Sequence, residues 1–255
     1  MILTVDIGNS NIVLGCAQGD KILHVVRMHT DPLKTSDEYW AQLQMQLQAR
    51  GIDPSAIEGS IIASVVPQVL NSFQTAILKL TGKPSLVVGP GLKTGLNIRI
   101  ENPNQLGADL VVGAVAALKM YKPPLVVVDM GTATTLIVLD ENGTLVGGAI
   151  CPGVQMSLNA LTENTALLPG IQLDKPKRAI GRNTVDCMRS GIMYGTADML
   201  DGLIDRMRKE LGKEVTVVCT GGLARFVTPL CKNPMHYEKD LLTQGLLHLY
   251  RENKK

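Results

Sequence analysis

The sequence predicts a mixed α/β layered fold assembled from two duplicated halves, and three observations carry that expectation. A short loop motif occurs twice, as Asp6-Ile7-Gly8-Asn9-Ser10-Asn11 and as Asp129-Met130-Gly131-Thr132-Ala133-Thr134, about half the chain apart. Each copy lies between two apolar runs, Ile2 to Val5 and Ile12 to Cys16 in the first, Leu125 to Val128 and Thr135 to Leu139 in the second. That order reads as strand, turn, strand. Both halves then continue with a third strand and an alternation of helix and strand, the pattern of sheets flanked by helices.

In chain order, strands are expected near 2–6, 11–17 and 21–29, a helix near 36–50, a strand at 60–65, a helix near 67–81 and a strand near 85–88. Val87-Val88-Gly89-Pro90-Gly91 then forces a break. The second half opens with a helix near 105–121, followed by strands near 125–129, 134–140 and 144–150 and helices near 153–163 and 184–211. A last apolar strand, Val215 to Cys219, runs into Thr220-Gly221-Gly222, a helix near 222–230 and a closing helix near 238–251. Two contiguous domains are expected, 1–115 and 116–255. Trp40, beside Tyr39 on an amphipathic helix, is read as a packing anchor.

The composition narrows the function classes. A chain of 255 residues has ample length for a buried core, and 45% hydrophobic with 19% charged residues is the make-up of an ordinary globular protein. A formal net charge of +2 supplies no global field to favour nucleic acid or an acidic membrane. The longest apolar stretch, Leu110 to Leu118, is too short to span a bilayer, and Met1 precedes Asp6 with no basic leader segment. Cys16, Cys151, Cys187, Cys219 and Cys231 are odd in number and contain no C-x-x-C pair. These features point to a cytoplasmic protein with mostly buried thiols and no structural zinc.

The repeated loop carries the chemistry. Glycine lets backbone N–H groups approach an anion, Ser, Thr and Asn add donors, and a carboxylate alongside can hold a cation that neutralises phosphate charge. One such turn after a strand is commonplace; two imply half-sites around one nucleotide, with the loops of duplicated domains facing each other across a cleft. Thr220-Gly221-Gly222 serves either close packing or the approach of a nucleobase or ribose, with Gly147-Gly148-Ala149-Ile150-Cys151-Pro152-Gly153 as its partner segment. Asp109, in Gly107-Ala108-Asp109, either complements a helix dipole or acts as a general base with room beside it for a substrate hydroxyl. With Asp6 and Asp129 it completes a set of carboxylates suited to phosphoryl transfer. His24, His29, His236 and His248 lack metal-ligand spacing, and Ser64 and Ser157 lack a nucleophile motif.

Taken together, Asp6-Ile7-Gly8-Asn9-Ser10-Asn11, Gly107-Ala108-Asp109, Asp129-Met130-Gly131-Thr132-Ala133-Thr134, Pro152-Gly153, Gly181-Arg182-Asn183-Thr184 and Thr220-Gly221-Gly222 resemble, in that order and over nearly the whole chain, the type III pantothenate kinases. The resemblance implies duplicated actin-like ATPase domains with a ribonuclease H-like topology, as in the acetate and sugar kinase, actin and heat-shock chaperone superfamily. It implies ATP-dependent phosphorylation of pantothenate, the first step toward coenzyme A. Asp6, Ile7, Gly8, Asn9, Ser10, Asn11, Ile12 and Val13 would bind ATP phosphates, Asp109 would accept the proton, Asp129 would bind a monovalent cation and Thr132 would contact ATP. Gly107, Ala108 and Thr184 would line the substrate site, with Ile100 and Leu110 at the positions where the family commonly has tyrosine and arginine. Magnesium would accompany ATP, potassium or ammonium would fill the monovalent site, and the protein would be a homodimer with a shared pantothenate site. Leu110 and Ile100 leave open a second reading, a superfamily kinase for another small hydroxyl acceptor; a third is a weakly catalytic nucleotide-binding regulatory paralogue, against which Asp109 argues.

Overall fold

The computed structural model describes residues 1–254. Apolar runs in the first half form β1 (Ile2–Ile7), β2 (Asn11–Gln18), β3 (Lys21–His29), β4 (Gly59–Ser64) and β5 (Ser85–Val87), in the sheet order β3-β2-β1-β4-β5. The second half forms β6 (Leu125–Met130), β7 (Ala133–Leu139), β8 (Leu145–Pro152), β9 (Thr216–Thr220) and β10 (His236–Tyr237), in the order β10-β9-β6-β7-β8. Within its own half, each sheet therefore runs third, second, first, fourth, fifth. In both, the first strand pairs antiparallel with the second and parallel with the fourth. The duplication seen in the loop motif is a duplication of topology, and the sheets are mixed as expected.

The helices are α1 (Ser36–Gln48), α2 (Pro67–Thr81), α3 (Ala108–Met120), α4 (Val154–Glu163), α5 (Thr184–Leu211), α6 (Ala224–Val227) and α7 (Leu241–Asn253). A capping box starts α1: the Glu38 N–H donates to Thr35 Oγ1, and the Glu38 carboxylate accepts from the Thr35 N–H at 2.8 Å. The helix expected near 222–230 is only one turn of α6, continued by a 3-10 turn, Thr228–Leu230. Pro229 lacks the N–H that a longer helix needs. Tyr39, rather than Trp40, is the aromatic anchor of α1. Tyr39 is fully buried and meets Phe73 edge-on at 5.2 Å, whereas Trp40 is 36% exposed.

Two compact units result. One comprises Met1–Leu96, Asn102–Ala116 and the segment from Asp240 onward; the other comprises Asn97–Glu101 and Ala117–Lys239. The first unit packs Leu3, Val5, Ile7, Ile12 and Leu14 against Leu43 and Leu47 of α1 and Val69, Phe73 and Ile77 of α2. The second packs Val126, Val128, Leu136 and Val138 against Met193, Leu200 and Ile204 of α5. This division departs from the expected contiguous domains 1–115 and 116–255: Asn97–Glu101 counts with the second unit, and α7 belongs to the first. It lies so close to the first sheet that a Cβ on Gly59 would collide with the Tyr250 phenol, and one on Gly15 with the Thr243 side chain. Backbone approach at these two strand glycines seats the helix there.

Candidate active site

In the first unit, pairing of β1 with both β2 and β4 sets Asp6 opposite Val13 and Ala63. The loop after β1 thus stands at the carboxyl end of a parallel pair, where open α/β sheets bind ligands. The Gly8 N–H donates to the Asn11 carbonyl at 3.0 Å and closes the turn. Thr30, buried after β3, braces it twice: its Oγ1 donates to the Gly8 carbonyl at 2.6 Å and its N–H to the Ser10 carbonyl at 3.1 Å. Asn9 and Asn11 are exposed. Ile7 and Ile12 are fully buried in the core, so only their backbone is open to the ligand role expected of them.

The Asp109 segment reaches the same end of this sheet through direct packing. The Val65 N–H donates to the Ile7 carbonyl at 3.0 Å, and the open side of Gly107 lies 3.5 Å from Val65 Cγ1. Asp109 occupies the first turn of α3, where its Oδ1 accepts from the Leu110 N–H at 2.8 Å. Any side chain on Gly107 would collide with that same oxygen, which explains the small residue in the motif. Burial raises the Asp109 pKa above the ordinary carboxylate value, opposed by hydrogen bonds from backbone N–H groups. Ala108 and Leu110 are half-buried beside it.

In the second unit, Asp129 stands opposite Thr135 and Thr220 at the corresponding end of its sheet. Its loop closes by a Gly131 N–H bond to the Ala133 carbonyl at 3.0 Å. Gly131 and Thr132 are exposed, and the open side of Gly131 lies 3.9 Å from Asp129 Oδ1. Two glycines back this loop. A Cβ on Gly153 would collide with the Thr132 carbonyl and stand 2.8 Å from the Gly131 carbonyl. Gly221, at φ +103°, lies against the Met130 backbone, a conformation and a distance that exclude any side chain. The glycine segments paired from the sequence therefore converge on one loop, with Gly221 packed closely against it.

Ile100 also belongs to the second unit. Residues 97–99 are stitched to β8 by the Leu145 N–H to the Asn97 carbonyl and the Arg99 N–H to the Leu145 carbonyl, both 2.8 Å. Thr184 is exposed at the start of α5, beyond the cap in which Asn183 accepts from the Asp186 N–H at 2.9 Å. Of the expected site residues, Asp6 to Val13 and Gly107 to Leu110 gather in one unit. Ile100, Asp129, Thr132 and Thr184 lie in the other.

Sequence reasoning missed Thr30; its signal is a lone hydroxyl residue directly after an alternating strand. No group of three or more His, Cys, Asp or Glu side chains suited to a metal ion occurs among the described residues. The donors that are present, the Asp6 and Asp129 carboxylates with Asn, Ser and Thr oxygens, are hard ligands of the kind magnesium and potassium take. Among the described residues no helix is long and apolar enough to cross a membrane.

A profile of type III pantothenate kinases matches residues 2–206. The type III pantothenate kinase of an Exiguobacterium species is 42% identical over the full length of both chains. That of Moorella thermoacetica is 42% identical over 99% of this chain and 100% of its own. At the level of fold, the crystal structure of (R)-2-hydroxyglutaryl-CoA dehydratase component A from Acidaminococcus fermentans matches with a TM-score of 0.60 at 15% identity, covering 100% of this chain and 99% of that one. The chain has the duplicated actin-like ATPase fold and belongs to the type III pantothenate kinase family.

Proposed function

We infer that the protein transfers the γ-phosphoryl group of ATP to the primary hydroxyl of pantothenate, the opening step toward coenzyme A. The observation that carries this reading is the packing of Asp109 at the same sheet end as the Asp6 loop, through Gly107, Val65 and Ile7. A proton acceptor and a phosphate-binding loop held on one rigid frame are what attack on a phosphoryl group requires.

In this reading the loop Asp6 to Val13 binds ATP phosphates through backbone N–H groups and the Asn9, Ser10 and Asn11 side chains. Asp109 takes the proton from the attacking hydroxyl as its oxygen bonds to the γ-phosphorus and the bond to the ADP oxygen breaks. Burial suits Asp109 to this task, because a carboxylate with a raised pKa is a stronger base than one in water. Magnesium bound with ATP would neutralise phosphate charge, and Asp129 would hold potassium or ammonium, without which its carboxylate would repel the nucleotide. Thr132 contacts ATP. Gly107, Ala108, Ile100, Leu110 and Thr184 line the acceptor site, with Leu110 offering apolar contact where the family commonly offers a cation.

A homodimer that shares the pantothenate site accounts for the exposure of Leu167 (90%) and Ile180 (82%) in the segment leading to Thr184. Sedimentation at micromolar concentration is expected to show a dimer, and a monomer overturns the shared site. The cytoplasm is the compartment in which the five cysteines would stay free thiols.

The test measures ADP release from the purified protein with ATP, magnesium and pantothenate, in potassium and in a bulky organic cation at equal ionic strength. Turnover that needs both pantothenate and potassium is the expected result. Turnover with another small alcohol and none with pantothenate moves the acceptor, and ATP binding without turnover overturns the kinase reading.

A further inference from the structure

We propose that Thr30 is a positioning residue for the ATP phosphates, holding the loop after β1 in its anion-binding form from behind. The inference rests on the reading of Asp6 to Val13 as the phosphate loop and adds to it a residue outside that segment. Thr30 is 3% exposed, and both of its polar backbone and side-chain donors go to the loop: Oγ1 to the Gly8 carbonyl at 2.6 Å and N–H to the Ser10 carbonyl at 3.1 Å. A trans peptide sets its carbonyl and N–H in opposite directions. Fixing the Gly8 carbonyl on Thr30 therefore turns the N–H of exposed Asn9 away from Thr30, toward the open side of the loop.

The support behind Thr30 is rigid. The next residue, Asp31, is tied to the core by the Tyr39 hydroxyl, which donates to the Asp31 carbonyl at 2.8 Å and accepts from its N–H at 3.1 Å. Tyr39 is fully buried against Phe73. A continuous path of hydrogen bonds and ring packing thus runs from the core of the first unit to the peptide that presents an amide to phosphate. A site on a supporting shell of this kind is pre-organised, and loosening the shell lowers affinity without removing any ligand contact.

The experiment compares Thr30→Val, which keeps the shape and the backbone bond but removes the hydroxyl, with Thr30→Ser, which keeps the hydroxyl. Thr30→Val is expected to raise the KM for ATP and the Kd for ADP about three- to tenfold, the worth of one buried hydrogen bond. The KM for pantothenate should not move, and Thr30→Ser should bind ATP and ADP like the unmodified protein. A thermal melt of each variant accompanies the kinetics, so that an ATP effect tracking the hydroxyl is distinguished from one tracking stability. Equal nucleotide binding by Thr30→Val and Thr30→Ser, or a parallel change in both substrates, overturns the proposal. Asp6→Asn separates the two levels: if it weakens ATP use while Thr30→Val does not, Thr30 alone loses its role. If neither variant affects ATP, the phosphate-loop reading falls with it.

Discussion

The two copies of the loop motif are alike in sequence and held in different ways. In the first, four residues separate the last paired positions, Ile7 and Ile12, and the turn is closed across Gly8 and Asn11. In the second, three residues separate Met130 and Thr134, and the closure spans Gly131 and Ala133. Thr30 braces the first loop by hydrogen bonds, one of them to Ser10. The residue paired with Ala133, the counterpart of Ser10, is Pro152, which has no N–H to donate. The second loop is instead wedged by the bare backbones of Gly153 and Gly221. A duplicated binding motif therefore does not bring a duplicated support. Thr30 braces the first loop by hydrogen bonds and close glycine backbones back the second, so the two should fail under different substitutions.

The largest expected effect sharpens the assignment of chemistry to the first unit. Asp109→Asn should lower kcat about 10²–10⁴-fold while leaving ADP binding in place, because it removes the proton acceptor without touching either loop. It should also raise the Tm at neutral pH. Burial raises the pKa of Asp109, so ionisation in the folded protein carries a free-energy cost that the unfolded chain does not bear. That cost begins as pH rises through the unfolded carboxylate pKa and is complete above the folded one. The Tm difference should accordingly vanish in acid, where both states are protonated. Calorimetric melts across the acid-to-neutral range, beside single-turnover kinetics, check both halves; unchanged turnover would leave Asp109 with only its bond from the Leu110 N–H.

Next in size is Gly153→Ala, which would force a methyl group into the Thr132 carbonyl. A loss of about 1–3 kcal/mol of stability is expected from overpacking, together with a raised KM for ATP. At Gly8 the added Cβ would lie 3.3 Å from the Asn11 carbonyl, a contact that a few tenths of an ångström relieves. Gly8→Ala should therefore change the Tm least. If Gly8→Ala proves as harmful as Gly153→Ala, the distinction between a bonded and a wedged loop is broken.

The sequence by itself determined the elements that local chemistry controls. Apolar runs on either side of the Asp6 and Asp129 loops dictated the paired hairpins, and the second copy of the motif dictated the duplication that the matching strand orders display. Gly107-Ala108-Asp109 was legible as special because a glycine and a carboxylate stand in the first turn of an apolar helix, and Thr220-Gly221-Gly222 because a glycine pair separates an apolar strand from a helix. Three features were decided only by tertiary structure. The closing helix has an apolar face that any sheet could cover, and the close approach at Gly15 and Gly59 assigns it to the first. Tyr39 and Trp40 are adjacent aromatic residues, and only the direction of the α1 face shows which one the core receives. Thr30 is distant in sequence from the loop it braces, and the β2–β3 register that brings it to Ser10 is set by which face of each strand is buried. Periodicity reports that a face is apolar; the identity of the surface that covers it depends on packing between segments far apart in the chain.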